Sequence, residues 1–86
     1  MKVKFHKQFA KQLGKYPLKI QAAFQKRLDI FLANPFDPIL SNHSLTGKWQ
    51  GYRSINISGD LRALYELLDE DTAFFVALGT HSQLYK

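Results

Sequence analysis

At 86 residues, with 45% hydrophobic and 14% aromatic content, the chain has the composition of one small folded domain and not of a disordered one. It holds no cysteine, which excludes a disulfide framework, a thiolate metal site and a cysteine nucleophile, and which fits a reducing cytoplasm. The net charge of +5 is unevenly spread: residues 1–35 carry eight Lys and Arg against Asp29 alone, and the remainder carries four against six acidic residues. The basic half offers a surface for a polyanion or an acidic protein, with a merely solvated lysine face as the plainer alternative.

The N-terminus, Met1 to Lys7, has no apolar stretch behind its charges, and no apolar run approaches the length of a membrane span. Neither a signal peptide nor a membrane partner is therefore expected, and a cytoplasmic location is. Lys2-Val3-Lys4-Phe5 alternates as a short strand does. Phe5, Phe9 and Leu13 then recur every four residues and predict a helix over about 6–15, ended by Gly14 and Pro17. Pro17 also suits the first turn of a second helix, expected over about 18–34, whose apolar stripe is Ile20, Phe24, Leu28 and Phe31 or Leu32. Asn34-Pro35 stops it and a loop follows.

Residues 41–51 are rich in polar and turn residues and are expected as a surface loop anchored inward by Leu45 and Trp49. Tyr52 to Ile57 alternates, with Ile55 and Ile57 toward the helices and Ser54 and Asn56 on the other face. Ser58-Gly59-Asp60 is a hairpin turn, Leu61 to Leu68 the next strand, and Asp69-Glu70-Asp71 a second turn. The last strand starts at Thr72 and stops at Gly79, where Thr80, His81, Ser82 and Tyr85 follow in one short polar turn. The expected architecture is a single α+β domain over residues 1–86. It comprises an N-terminal strand, a two-helix antiparallel hairpin, and a three-stranded antiparallel meander, in the order β-α-α-β-β-β.

Helices cover one face of such a sheet, so the polar residues at alternate strand positions must look elsewhere. Those are Ser54, Asn56, Arg62 if it shares the side of Leu64, and the turn bearing His81, with His43 able to reach the same face. Ala63, Tyr65 and Leu67 are the inward candidates on the other side. Two histidines and an arginine without a carboxylate cluster make a poor metal site and a workable phosphodiester-cleaving one. One imidazole takes a proton from a ribose 2′-hydroxyl, the other gives one to the leaving oxygen, and the guanidinium holds the phosphate. Tyr85 or Trp49 can stack on an unpaired base. The plainer reading leaves His81 as a strand cap and Tyr85 as a packed lid.

Three segments, Leu45-Thr46-Gly47-Lys48-Trp49-Gln50-Gly51-Tyr52-Arg53, Gly59-Asp60-Leu61-Arg62-Ala63-Leu64-Tyr65 and Gly79-Thr80-His81-Ser82-Gln83-Leu84-Tyr85, stand in this order along the chain. Together they resemble the RelE/ParE superfamily of type II toxins, and most closely its YafQ-like mRNA interferases. Those carry His-x-Leu-x-Gly, Gly-Tyr-Arg and a terminal Gly-Thr-His-x-x-Leu-aromatic. The resemblance implies a RelE-like fold and a bacterial toxin that enters the ribosome and cuts mRNA without a metal or other cofactor. It implies a cognate acidic antitoxin as partner, and contact with operator DNA only through the toxin–antitoxin complex. Carried over residue by residue, it places catalysis on His43, Asp60, His81 and Tyr85, with the phosphate-holding arginine at Arg62. Lys48, Trp49, Arg53 and Asn56 are assigned to RNA contact.

Three positions depart from the family pattern. Asn56 stands where a histidine is usual, Leu61 replaces a tryptophan and Ala77 replaces an arginine. They keep two further readings open: a ParE-like toxin that binds DNA gyrase without chemistry, and a catalytically weakened member that mainly binds its antitoxin.

Overall fold

The computed structural model describes residues 1–85; Lys86 lies outside the described residues. Strand β1 (Lys2–Phe5) leads into helix α1 (Lys7–Gly14) and helix α2 (Leu18–Ala33). A two-residue strand β2 (His43–Ser44), β3 (Arg53–Ser58), β4 (Leu61–Asp69) and β5 (Thr72–Thr80) follow, and a one-turn helix α3 (His81–Leu84) closes the fold. The five strands form one sheet in the order β1-β5-β4-β3-β2, antiparallel except where β1 lies parallel to β5.

The expected α+β architecture holds, with local corrections. His6 does not open α1 but caps it, its Nδ1 accepting the N–H of Gln8 at 3.0 Å. α2 ends one residue early, because Asn34 takes extended backbone ahead of Pro35. The segment expected as a loop contributes β2, which pairs His43 with Ser54 and Ser44 with Arg53 and so puts a fifth strand on the sheet edge. β5 does not stop at Gly79 but continues through Thr80, and the polar turn after it is helical.

The main core lies between the helix pair and one sheet face. Phe9, Phe24, Leu28 and Phe31 pack against Ile55, Ile57, Leu61, Ala63, Tyr65, Ala73, Phe75 and Leu78. Of the two candidates on α2, Phe31 is the buried one and Leu32 the exposed one. Phe75 is its centre: its ring lies between 5.2 and 6.1 Å from those of Phe5, Phe9, Phe24, Phe31 and Tyr65. Leu67, expected inward, is half exposed.

The opposite sheet face is not simply polar. Leu45, Leu64 and Leu84 form a second small core there, with Trp49, Tyr52, Val76 and Ala77 packed on it. A bulge makes this possible. Leu64 pairs with Ala77 but Tyr65 pairs with Phe75, so Val76 is an extra residue in β5. Phe75 and Leu78 therefore both face the helices, while Val76 and Ala77 both face the second core. No helix among the described residues is long and apolar enough to cross a membrane.

Candidate active site

β4 settles the side on which Arg62 stands. Leu61, Ala63 and Tyr65 are core residues beneath the helices, so Arg62 and Leu64 project from the second face. Arg62 pairs with Asn56 on β3 and with Gly79 on β5. Beside it, His43, His81 and Tyr85 complete the lining of an open cleft of about 270 Å³. Four residues separated by up to 42 positions in sequence thus meet on one exposed face.

His43 comes from the edge strand β2, and its approach is set by the loop before it. Ser41 adopts a left-handed conformation with φ of 48°, uncommon for a residue with a side chain. Its carbonyl oxygen lies 2.8 Å from His43 Nδ1. A carbonyl only accepts, so Nδ1 carries the proton and Nε2 is the basic nitrogen of the neutral ring. Asn42, which the sequence reading passed over, fixes this loop. Its amide donates to the Pro35 carbonyl and the Tyr65 hydroxyl, each at 2.8 Å, and its oxygen accepts from Arg53 Nε at 2.8 Å. No periodicity marks such a residue; only the fold shows what it joins.

His81 opens α3 and Tyr85 caps its end one turn later, their rings 4.6 Å apart and inclined by 34°. A single helical turn does not persist by itself, so what holds α3 also holds both rings. At its start Thr80 and Gln83 form a reciprocal capping box, and Asp60 Oδ2 accepts the His81 backbone N–H at 3.3 Å. At its end Leu84 is buried on Leu45 and Leu64, and Trp49 Nε1 donates to the Leu84 carbonyl at 2.8 Å. Gly79 leaves the room this needs: a Cβ there would meet Gln83 Oε1 at 3.0 Å.

Asp60 stands at the rim of the cleft. Its Oδ1 lies 3.9 Å from Arg62 Nε, with a side chain more than half exposed. So long and wet an ion pair adds little stability; its effect is to face the Nε edge of the guanidinium and leave the two terminal nitrogens for another ligand. Asn56 is on the same face but holds the hairpin, donating to the Gly59 carbonyl at 3.0 Å.

The remaining predicted RNA contacts are not brought into the cleft. The Trp49 ring packs edge-on against Tyr52 at 5.5 Å, and Lys48 lies 5.9 Å from the Trp49 ring centre. Arg53 turns to the helix side, 5.3 Å over the Phe36 ring and bonded to Asn42. Leu61 and Ala77, the other two departures from the family pattern, are packing residues of the first and second cores.

This arrangement can be set beside known proteins. The family model described as the bacterial toxin of type II toxin-antitoxin systems, YafQ, matches residues 1–86. The chain belongs to the YafQ toxin family. Among solved structures it resembles YafQ from E. coli, at 24% identity and a TM-score of 0.70 over 98% of this chain and 97% of that one. It also resembles the E. coli DinJ–YafQ complex, at 24% identity and a TM-score of 0.66 over 98% and 97%. A copper-bound mutant toxin from Helicobacter pylori shares 28% identity at a TM-score of 0.68 over 99% of both chains. No curated protein matches. The protein is a YafQ-type toxin of a type II toxin–antitoxin system with a RelE-like fold.

Proposed function

We propose that this YafQ-type toxin is a ribosome-dependent endoribonuclease that cuts mRNA by attack of a ribose 2′-hydroxyl, without a metal. The observation that carries the reading is the cleft itself, where two imidazoles, one guanidinium and one aromatic ring share an exposed face. His43 Nε2 takes the 2′-hydroxyl proton while that oxygen bonds to phosphorus. The bond from phosphorus to the 5′-oxygen breaks, and protonated His81 gives its proton to the departing oxygen. The products are a 2′,3′-cyclic phosphate and a free 5′-hydroxyl. The terminal nitrogens of Arg62 hold the non-bridging oxygens and stabilise the charge that builds in the transition state. Tyr85 stacks on a base beside the cut. Asp60 is a positioning residue that holds the His81 backbone and the Nε edge of Arg62.

The same reading gives the toxin an acidic antitoxin partner, supported by the relative solved with DinJ and by the eight basic residues of the first 35. Operator DNA is reached only through that complex. The test is induction of the His81→Ala, Arg62→Ala double variant, with cut sites mapped on translated mRNA. A folded double variant that no longer arrests growth or cuts transcripts is the expected result. Full arrest by that variant overturns the nuclease reading, and arrest by the wild-type chain with intact transcripts overturns it in favour of a binding toxin.

A further inference from the structure

On the far side of α3 from the proposed cutting site lies a second cleft, of about 420 Å³, lined by Gln12, Lys15, Tyr16, Leu78, Gln83 and Leu84. Resting on the nuclease reading above, we propose that this cleft is a base-reading subsite for a nucleotide flanking the cut, selecting keto-edged bases (uracil, guanine) over amino-edged ones (cytosine, adenine).

The selectivity follows from what the two carboxamides have already committed. Gln83 Oε1 accepts the Thr80 N–H at 2.8 Å as part of the capping box. Gln12 Oε1 accepts the Leu78 N–H at 3.3 Å across 66 positions of sequence. Each oxygen serves the fold, so each side chain presents its NH₂ to a ligand. An amide with both ends open reads adenine by pairing a donor with an acceptor. One whose oxygen is turned onto a backbone N–H offers a ligand its NH₂ first. Lys15 adds a cation and Tyr16 a hydroxyl, and none of the six lining residues is acidic. The cleft is dominated by donors and favours acceptors, such as a base carbonyl beside a phosphate.

Its floor and its place favour a nucleotide over an acidic peptide. The half-buried ring of Tyr16, with the edges of the buried Leu78 and Leu84 beside it, gives apolar surface on which a base can lie. At 100° per residue, Gln83 falls almost opposite His81 and Tyr85 around α3. A strand draped over this one turn, about 10 Å across, has one nucleotide at the cutting cleft and another at the donor cleft.

The pyrimidines provide the test, because uracil and cytosine differ chiefly in the keto or amino group of one edge. Fluorescence anisotropy measures binding of labelled 2′-O-methyl hexauridylate and hexacytidylate, which 2′-hydroxyl attack cannot cut. The wild-type chain is expected to bind the uridylate about tenfold more tightly, roughly the contribution of one good hydrogen bond. In the Gln12→Glu, Gln83→Glu double variant both structural acceptors remain, since glutamate serves a capping box as glutamine does. Its melting temperature should hold while its preference turns toward cytidylate, whose exocyclic amine donates to a carboxylate. Equal affinities in the wild type overturn the proposal, as does a uridylate preference that survives in the folded double variant. Side-chain NH₂ resonances of Gln12 and Gln83 that shift with a hexaglutamate peptide and with neither oligomer also overturn it, in favour of an acidic-peptide site. Binding is read and not cleavage, so failure here is separate from failure of the nuclease reading.

Discussion

Trp49→Phe separates two roles for this ring: stacking on RNA, expected from its residue type, and holding α3, seen in the structure. The substitution keeps an aromatic ring against Tyr52 and removes the indole N–H that donates to the Leu84 carbonyl at 2.8 Å, along with the five-membered part of the ring. Losing a neutral hydrogen bond of this kind costs about 1 kcal/mol. In a domain of this size that lowers the melting temperature by about 4–8 °C. Because the bond is at the end of a one-turn helix, the loss is concentrated there. Hydrogen exchange at the Tyr85 amide, which bonds to the His81 carbonyl at 3.0 Å, should accelerate about fivefold while the β4–β5 amides barely change. His81 and Tyr85 then sample misplaced positions, and a displacement near 1 Å lowers the cleavage rate by as much as about 100-fold, in kcat more than in KM. If Trp49 acts by stacking, phenylalanine replaces it well and only Trp49→Ala is impaired. Unchanged Tyr85 exchange and unchanged cleavage in Trp49→Phe would refute the clamp.

Two further predictions concern stability. The Ser54 hydroxyl is fully buried between β2 and β4 with no hydrogen-bond partner among the described residues, so Ser54→Ala should raise stability by about 1 kcal/mol in denaturant unfolding, and a loss of that size would contradict the reasoning. At the far end of the sheet, the backbone N–H of Asp71, helped by the Thr72 hydroxyl, holds the Asp69 carboxyl below the usual carboxylate range. A depressed native pKa stabilises above the unfolded value, near pH 4, and that contribution is lost as pH falls through the native value. Asp69→Asn should therefore unfold more easily than wild type at pH 7, with the two melting curves converging as pH falls through the native value; a gap independent of pH would refute it.

Most of the scaffold was legible because its signals are local. Four-residue spacing of Phe5, Phe9 and Leu13, alternation around Ile55 and Ile57, and Gly59 or Pro35 at the breaks each act within a few positions. β2 was not legible: its two residues carry no pattern and exist as a strand only because Ser54 and Arg53 lie beside them. The second core was hidden for a related reason. Leu45, Leu64 and Leu84 come from a loop, a strand and a terminal turn, and nothing in one dimension says that they meet.

The least legible feature is also the one on which the candidate site depends. Simple alternation from Ala73 and Phe75 would turn Ala77 and Gly79 toward the helices, and would start the terminal turn from the wrong face. The extra residue Val76 reverses that phase. Gly79 instead pairs beside Arg62 on the second face, and its missing side chain admits Gln83 and Leu84 above it. The three sequence motifs then have one physical account. The first supplies Leu45 and Trp49 beneath and behind α3, the second supplies Asp60 and Arg62 at its start, and the third is α3 itself. Asn56, with its amide given to the hairpin, and Ala77, with its methyl in the second core, serve the frame. Proton transfer in the proposed reaction accordingly rests on His43 and His81, the two imidazoles that the edge strand and the clamped turn bring to one cleft.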